Sequence, residues 1–421
     1  MGQNIEIKNC RSCDSKSLIP ILSLGNQYVT NFVESGSSED VRCPLDLILC
    51  KNCKLLQMKH SAPPQSTWNN QYWYKSGIST TIVDDLKDIV DNAKKLVSLE
   101  DKDIVIDIGC NDGTLLEFYD VSGLRTIGFE PSGNVAKEAE SKGFHILNDF
   151  FNAESFKKEF GGEKAKIITA ISMFYDLDNP NKFLEDINEI LDEEGLFIIQ
   201  QNYLVAMLEN NAFDNICHEH REYYSFGTLK KILEKHGLEI FDVEQNSING
   251  GSIRTYIRFE GNANLKGFEG SEKRIEDVEE YESKLGLDMI KPYEDFANRI
   301  NNIRKKLMTF LKQEKEKGKE IYLYGASTRG NVVLQYFELG PELVTAIADM
   351  NPDKWGKKTV GTMIPIISPE EFRKKNPDYL LVMVWHFFNE IKNQENEWFE
   401  KGGKFIVALP EFKVVGKNYQ Y

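Results

Sequence analysis

The chain has 421 residues, 41% of them apolar, and its 51 Lys and Arg stand against 66 Asp and Glu for a formal net charge of -15. At about 150 residues per domain, this length predicts two to three domains, each with enough apolar residues for a core. So acidic a chain repels phosphate backbones and anionic headgroups, which argues against nucleic acid and membrane surfaces as partners.

No apolar run is long enough to span a bilayer, and the opening MGQNIEIKNC has neither a basic nor an apolar leader region, so a cytoplasmic protein is expected. Seven cysteines are an odd number, and four of them form two C-x-x-C pairs. In a reducing compartment this points to metal or redox use rather than disulfides. Cys10, Cys13, Cys50 and Cys53 share one internal spacing beside turn-forming residues, which predicts a closed four-thiolate structural zinc site. A redox pair needs only one such motif. Residues 14–49 are expected to hold a small β-unit built on SLIPILSLG and CPLDLILC, and Cys43, Cys110 and Cys217 are read as buried apolar residues. The turn-rich HSAPPQSTWNNQ then leads to an aromatic stretch containing Tyr72, Trp73 and Tyr74, ordinarily packing residues but here a candidate lid, and to a helical pattern over residues 80–97.

From Asp103, short apolar runs alternate with helical stretches, the pattern of a parallel α/β sheet. DIVIDIG, RTIGFEP, FHILND, KIITAISM, GLFIIQQN, GLEIFDVE and SIRTYIRF give seven strands ending in an antiparallel hairpin, an order that suits a class I methyltransferase. The first strand runs into Asp107, Gly109, Asn111, Asp112 and Gly113, a D-x-G-x-x-x-G loop expected to open onto a helix at LLEFYD. Carboxylates there repel a pyrophosphate but suit S-adenosylmethionine, whose sulfonium and amino group are cationic. Glu130 ends the second strand, where a carboxylate can accept from ribose hydroxyls, and Asp149 follows the third, where adenine would be read. Ser172 and Gln200 close the candidate cofactor set, with Asn202 just beyond on the substrate side.

The segment NAFDNICHEHREYYS concentrates His218, Glu219, His220, Tyr223 and Tyr224. A metal pair, a general base held in one tautomer by a carboxylate, and a solvated loop are the competing readings; the H-E-x-x-H helical spacing is absent. Residues 262–317 are charged and heptad-like, a helical connector with a solvated face, and they deliver the chain to strands EIYLYGA, LVTAIADM, YLLVMVW and KFIVALP. Ser327, Arg329 and Asn331 open a helix as a candidate diphosphate cradle, while Trp385 and His386 fall at a strand end, the usual ligand edge. The expected fold is α/β throughout: an N-terminal zinc-binding module (1–65), a class I methyltransferase Rossmann-like domain (66–261), a helical connector (262–317) and a second, C-terminal Rossmann-like domain (318–421) on the nucleotide-sugar side.

In that order, C-x-x-C...C-x-x-C, D-I-G-C-N-D-G, G-F-E-P-S, H-E-H-x-x-Y-Y, Y-G-A-S-x-x-G-N and P-D-Y-x-L-x-x-x-W resemble the zinc-containing sugar C-methyltransferases that act on nucleotide-linked 4-ketosugars in deoxysugar biosynthesis. The resemblance spans nearly the whole chain. It implies a cleft between cofactor and nucleotide-sugar, with His220 as the base that abstracts the proton alpha to a keto group; Tyr72 and Tyr74 of the candidate lid are read as substrate-side residues. The family often has Tyr just before H-E-H and a His after the fourth strand; here Cys217 and the run from Ser172 to Pro180 stand instead. Tyr175, Tyr223 and Tyr224 are left as candidate enolate donors, and O-methylation as the alternative chemistry. A macromolecular substrate would need a basic stripe beside the cysteines, where residues 1–60 carry only scattered Lys and Arg. A non-enzymatic nucleotide-sugar binder remains a further class, an NAD-dependent epimerase is disfavoured by the tail's glycine pattern, and the oligomeric state stays open.

Overall fold

The computed structural model describes residues 4–29, 32–33, 41–68, 72–417 and 419–420. Its head is a pair of long antiparallel strands, β1 (Leu18–Tyr28) and β2 (Arg42–Cys50), with β3 (Leu56–Met58) on the far side of β2. These are the two runs expected to fill the space between the cysteine pairs. Each pair is folded into a knuckle by a return hydrogen bond, Asp14 N–H to Cys10 O at 2.9 Å and Lys54 N–H to Cys50 O at 3.0 Å. Asp14 and Lys54 both take the left-handed conformation, with φ of 59° and 70°, which turns the chain sharply enough to aim all four sulfurs inward.

The Thr80–Leu96 helix, α1, buries Ile82, Leu86, Ile89, Val90 and Ala93 on one stripe and packs against the next sheet. Among the described residues that sheet has seven strands: β4 (Ile104–Ile108), β5 (Arg125–Phe129), β6 (His145–Leu147), β7 (Ala165–Ile171), β8 (Leu191–Asn202), β10 (Leu238–Asn246) and β11 (Ser252–Phe259), ordered β10-β11-β8-β7-β4-β5-β6. Strands β4 to β8 are parallel, and β11 runs antiparallel to both β8 and β10. Every residue of β4 is buried, as a central parallel strand covered on both faces requires. All seven runs expected as strands are strands here. The helix expected at LLEFYD is a single 3-10 turn, Leu116–Phe118, because the turn-forming Asp120-Val-Ser-Gly123 cuts it short before β5.

One strand between these, β9 (Glu222–Tyr223), leaves the Rossmann sheet and pairs antiparallel with β3, so the head's sheet reads β9-β3-β2-β1. The connector is two helices, α2 (Ser271–Leu285) and α3 (Lys291–Glu316). Its charge run is only one face of it. Tyr293, Phe296, Ile300, Ile303, Leu307 and Leu311 make a continuous apolar stripe that enters one cluster with Leu45, Leu47 and Leu49 of the head and Leu323 and Phe337 of the tail. The tail sheet runs through β12 (Ile321–Tyr324), β13 (Ile347–Ala348), β14 (Ile366–Ile367), β15 (Tyr379–Val382), β16 (Lys404–Val407), β17 (Lys413–Gly416) and β18 (Tyr419–Gln420), in the order β14-β13-β12-β15-β16-β17-β18. Its first five strands are parallel, and α4 (Thr328–Phe337) follows β12. Among the described residues no helix is long and apolar enough to cross a membrane.

Candidate active site

A cavity of about 340 Å³ opens at the carboxyl ends of β4, β5 and β7, where the strand order reverses. Asp107, Gly109, Asn111, Glu130, Ser172 and Gln200 line it, together with Tyr72 and Tyr74. Gly109 has φ of 73°, and a Cβ there would press on Met173 at 3.3 Å. Asp107 accepts from Thr169 Oγ1 at 2.7 Å, and burial pushes its carboxyl up to about 7. Glu130 accepts from the amides of Asn111 (3.0 Å) and Ser132 (2.7 Å), so its carboxylate organises both loops at the cavity floor. Carboxylates on the floor and Trp68, Phe129 and Phe151 on the walls fit a ligand with a cationic sulfonium, an ammonium and a flat base.

Three residues of the predicted cofactor set lie outside that lining. Gly113 is a packing position: a Cβ would stand 2.9 Å from the Phe144 ring and 3.0 Å from Ala139. Asp149 is exposed and accepts from the Phe150 amide, leaving Phe150 and Phe151 to face the cavity. Asp112 points the other way, to Thr114 Oγ1 at 2.6 Å and to the Gly77 amide at 2.9 Å. That last bond belongs to the lid. Asn111 accepts from the Ser76 amide at 3.0 Å and donates to Tyr74 O at 3.1 Å, while Asn134 exchanges two bonds with the Tyr72 backbone. The aromatic segment is therefore latched over the cavity by the glycine loop itself. Asn111→Ala removes both lid bonds and is expected to weaken cofactor binding by about 1–3 kcal/mol, measured by calorimetric titration.

Signals in the sequence for the remaining lining residues were weaker. Asp85 sits on the buried stripe of α1 between Ile82 and Ile89, and a carboxylate interrupting an apolar face is the mark that would have found it. Asp176 lines the cavity from a single 3-10 turn, Phe174–Asp176, and Asp178 and Arg221 from loops, where no periodicity marks them.

In the H-E-H loop, His220 Nδ1 lies 2.9 Å from Asn215 O, which fixes the proton on Nδ1 and leaves the Nε2 lone pair free. The ring packs 4.4 Å from the Tyr175 ring, and both border a pocket of about 10 Å³ with Asn202, Glu222 and Tyr223. Burial, helped by the Arg329 charge, lowers His220 to about 3. His218 faces elsewhere: its Nε2–H donates to Cys43 O of the head at 3.1 Å, and burial lowers it to about 4. Glu219, between the two histidines in the chain, is buried as well. Two tyrosines are committed to protein acceptors. The Tyr224 hydroxyl donates to Glu222 Oε2 at 3.0 Å, and that of Tyr223 to the carbonyls of His220 (3.1 Å) and Asn215 (3.3 Å). Burial pushes the Cys217 thiol well up, which leaves it a neutral, weak donor.

The two depressed imidazoles have a consequence for stability. Both stay neutral in the folded chain down to about 4 and 3, whereas the unfolded chain protonates them near 6.5, so it binds more protons across that window. Their contribution therefore falls as pH falls. His218→Gln keeps a donor at the same reach without the titration, and from about pH 7 to about pH 5 its melting temperature is expected to drop less steeply than that of the unaltered chain; equal slopes would contradict this.

The four sulfurs of Cys10, Cys13, Cys50 and Cys53 lie within 4.8 Å of one another, with Cys10 to Cys53 at 3.5 Å and Cys13 to Cys50 at 3.6 Å. Tetrahedral zinc with bonds near 2.3 Å needs sulfurs about 3.8 Å apart, so the donor set fits that ion. Gln57 Nε2–H and Asn52 Nδ2–H donate to Cys10 and Cys13, the N–H···S support that zinc thiolates take. Cys43 stays outside, its thiol pushed up to about 12 by burial.

Three protein-family patterns follow one another along the chain: a zinc-binding domain over 10–68, a methyltransferase domain over 83–243 and a C-methyltransferase C-terminal domain over 247–410. The C-methyltransferase NovU of Streptomyces niveus is 29% identical over 414 residues, 97% of each chain. The chain is a S-adenosylmethionine-dependent methyltransferase with a zinc-binding domain pattern at its head. Among solved structures, a S-adenosylmethionine-dependent methyltransferase from Clostridium acetobutylicum matches with TM-score 0.32 and 16% identity, over 44% of this chain and 93% of its own. Magnesium protoporphyrin IX methyltransferase from Synechocystis with bound SAM matches with TM-score 0.31 and 14% identity, over 42% and 78%.

In this methyltransferase the tail domain reaches the segment that precedes H-E-H through Arg329. Its Nε donates to Asp214 Oδ2 at 2.9 Å and its Nη1 to Asn249 O at 2.9 Å, and Asn249 lines the cofactor cavity. Trp385 Nε1 donates to the same Asp214 oxygen at 3.2 Å. Arg329, read from sequence as an anion cradle, is thus neutralised by Asp214. Ser327 caps α4 by accepting from the Gly330 amide, Asn331 is buried one turn on, and His386 is held neutral by burial beside Arg329.

Proposed function

We propose that the enzyme methylates a nucleotide-linked ketosugar at the carbon alpha to its keto group, through an enolate, with His220 as the base. S-adenosylmethionine supplies the electrophilic methyl group. The observation that carries the reading is the His220 tautomer: Nδ1–H is tied to Asn215 O, so Nε2 offers a neutral lone pair in the pocket shared with Tyr175 and Asn202. Burial keeps the ring unprotonated at working pH but also weakens it as a base, so taking the alpha proton depends on a donor that stabilises the enolate oxygen as it forms.

The enolate oxygen needs a donor. Tyr223 and Tyr224 already donate to protein acceptors, and Cys217 is a poor donor, so Tyr175, packed on the His220 ring, is assigned that part. Asp107, bonded to Thr169 of β7, and Glu130, bonded to the loop amides of Asn111 and Ser132, are assigned to the cofactor. The nucleotide-sugar, a substrate class that rests on the motif resemblance, is assigned to the side of the cavity lined by Asn249. Mass spectrometry of products from a panel of nucleotide-ketosugars tests the reading. One added methyl fragmenting with the ring carbon next to the ketone is expected; a methyl on oxygen would replace the enolate with simple deprotonation of a hydroxyl.

A further inference from the structure

The catalytic loop is a strand of the metal-binding sheet. Glu222 pairs with Gln57 and Tyr223 with Leu56 in an antiparallel ladder, and the Met58 amide donates to Arg221 O at 2.7 Å. His220 is therefore one residue from a backbone anchored by the head. Gln57 is fully buried and bridges the two systems. Its Nε2–H donates to Cys10 Sγ at 3.1 Å, its Oε1 accepts from the Arg11 amide at 3.1 Å, and its backbone sits opposite Glu222.

A second line of contacts runs in parallel. Arg11, between the two ligands of the first knuckle, donates from Nη1 to Met58 O at 2.6 Å and from Nη2 to Ser61 Oγ at 2.9 Å. Ser61 Oγ–H donates to Asp178 Oδ1 at 2.6 Å, and that oxygen is 3.4 Å from Arg221 Nε. Arg221 in turn donates from its amide to Tyr175 O at 2.8 Å and from Nε to Asp176 O at 3.1 Å. Both lines end on the residues that flank His220 and Tyr175.

We propose that Gln57 is a positioning residue for methyl transfer: it couples the occupied four-cysteine site to the β3–β9 ladder and so sets the place of His220. A head that served only to close its own small fold would have no need of a strand from the active-site loop, nor of a ligand-bonded glutamine facing it. The role of His220 as base rests on the function proposed above, while the coupling itself is a conformational statement that stands or falls separately.

Gln57→Leu, nearly the same volume without the amide, is the test in the full-length, zinc-loaded protein. Hydrogen exchange read by mass spectrometry over Arg221–Tyr223 is expected to accelerate by about 10-fold or more, while Ile104–Ile108 keeps its protection and S-adenosylmethionine binds as before. The turnover number should fall about 10-fold to 100-fold with little change in KM. Unaltered protein stripped of zinc by a chelator should loosen the same peptide ahead of Ile104–Ile108, which keeps the test alive if the variant folds poorly. Unchanged exchange over Arg221–Tyr223 in both samples would overturn the proposal, as would a loss spread evenly over the chain. His220→Asn is the control that separates the two ideas: it should leave the ladder's exchange untouched, and if it also leaves turnover intact, the base assignment falls while the coupling result stands.

Discussion

His220→Asn is expected to lower turnover by about 100-fold to 10,000-fold, the range that general acid–base catalysis supplies. Asparagine is chosen because its Nδ2–H can still reach Asn215 O, the bond that now holds Nδ1 at 2.9 Å, so the loop keeps its course. What disappears is the lone pair at Nε2. S-adenosylmethionine affinity and melting temperature should hardly move, because His220 borders the small pocket with Tyr175 and Asn202, while the cofactor cavity is lined by other residues. Steady-state kinetics with calorimetric titration separates the two parameters. A turnover loss of less than about 10-fold would mean that another group takes the proton.

The largest expected stability change is at Arg254, on β11 against α1. Its guanidinium is almost wholly buried and meets Asp85 at 2.9 Å, Asp88 at 2.7 Å and Glu244 at 3.2 Å, with Nε donating to Gln200 Oε1 at 2.8 Å. Arg254→Met leaves Asp85, whose side chain is 9% exposed, without its cation, and burial already pushes that carboxyl up. Breaking a buried pair from one side costs about 3–5 kcal/mol, readable as a shift in the chemical denaturation midpoint. Because Asp85 and Gln200 line the cofactor cavity, binding should weaken in the same variant. Adding Asp85→Leu should recover much of the stability and none of the binding, since two apolar residues remove the orphaned charge but not the need for a shaped, polar wall.

Much of this architecture was legible because it is local. The seven Rossmann strands announce themselves as short apolar runs, and two knuckles with identical spacing announce a metal. Glu222 and Tyr223 show the opposite case: a two-residue strand has no periodicity, and its partner at Leu56 and Gln57 is far away in sequence, so only the folded chain reveals that the segment after H-E-H joins the sheet of the head. Asp112 and Asp149 illustrate a subtler limit. Both stand where a carboxylate suits the cofactor, yet one is spent on latching the lid and the other points to solvent, because spacing along a loop does not fix the direction of a side chain. Arg329 looked like an anion site for want of its partner, Asp214, which lies in another domain. The tyrosines after H-E-H could be sorted only by what their hydroxyls touch.

The central claim, that His220 makes a carbon nucleophile beside a keto group, is tested most directly without any methyl transfer. A nucleotide 4-ketosugar that the enzyme methylates is incubated with it in heavy water, with no S-adenosylmethionine present. Deuterium should enter at the carbon alpha to the ketone in the presence of the unaltered protein and stay out with His220→Asn. No incorporation with a substrate that is methylated, or incorporation at an undiminished rate in the variant, would contradict the account.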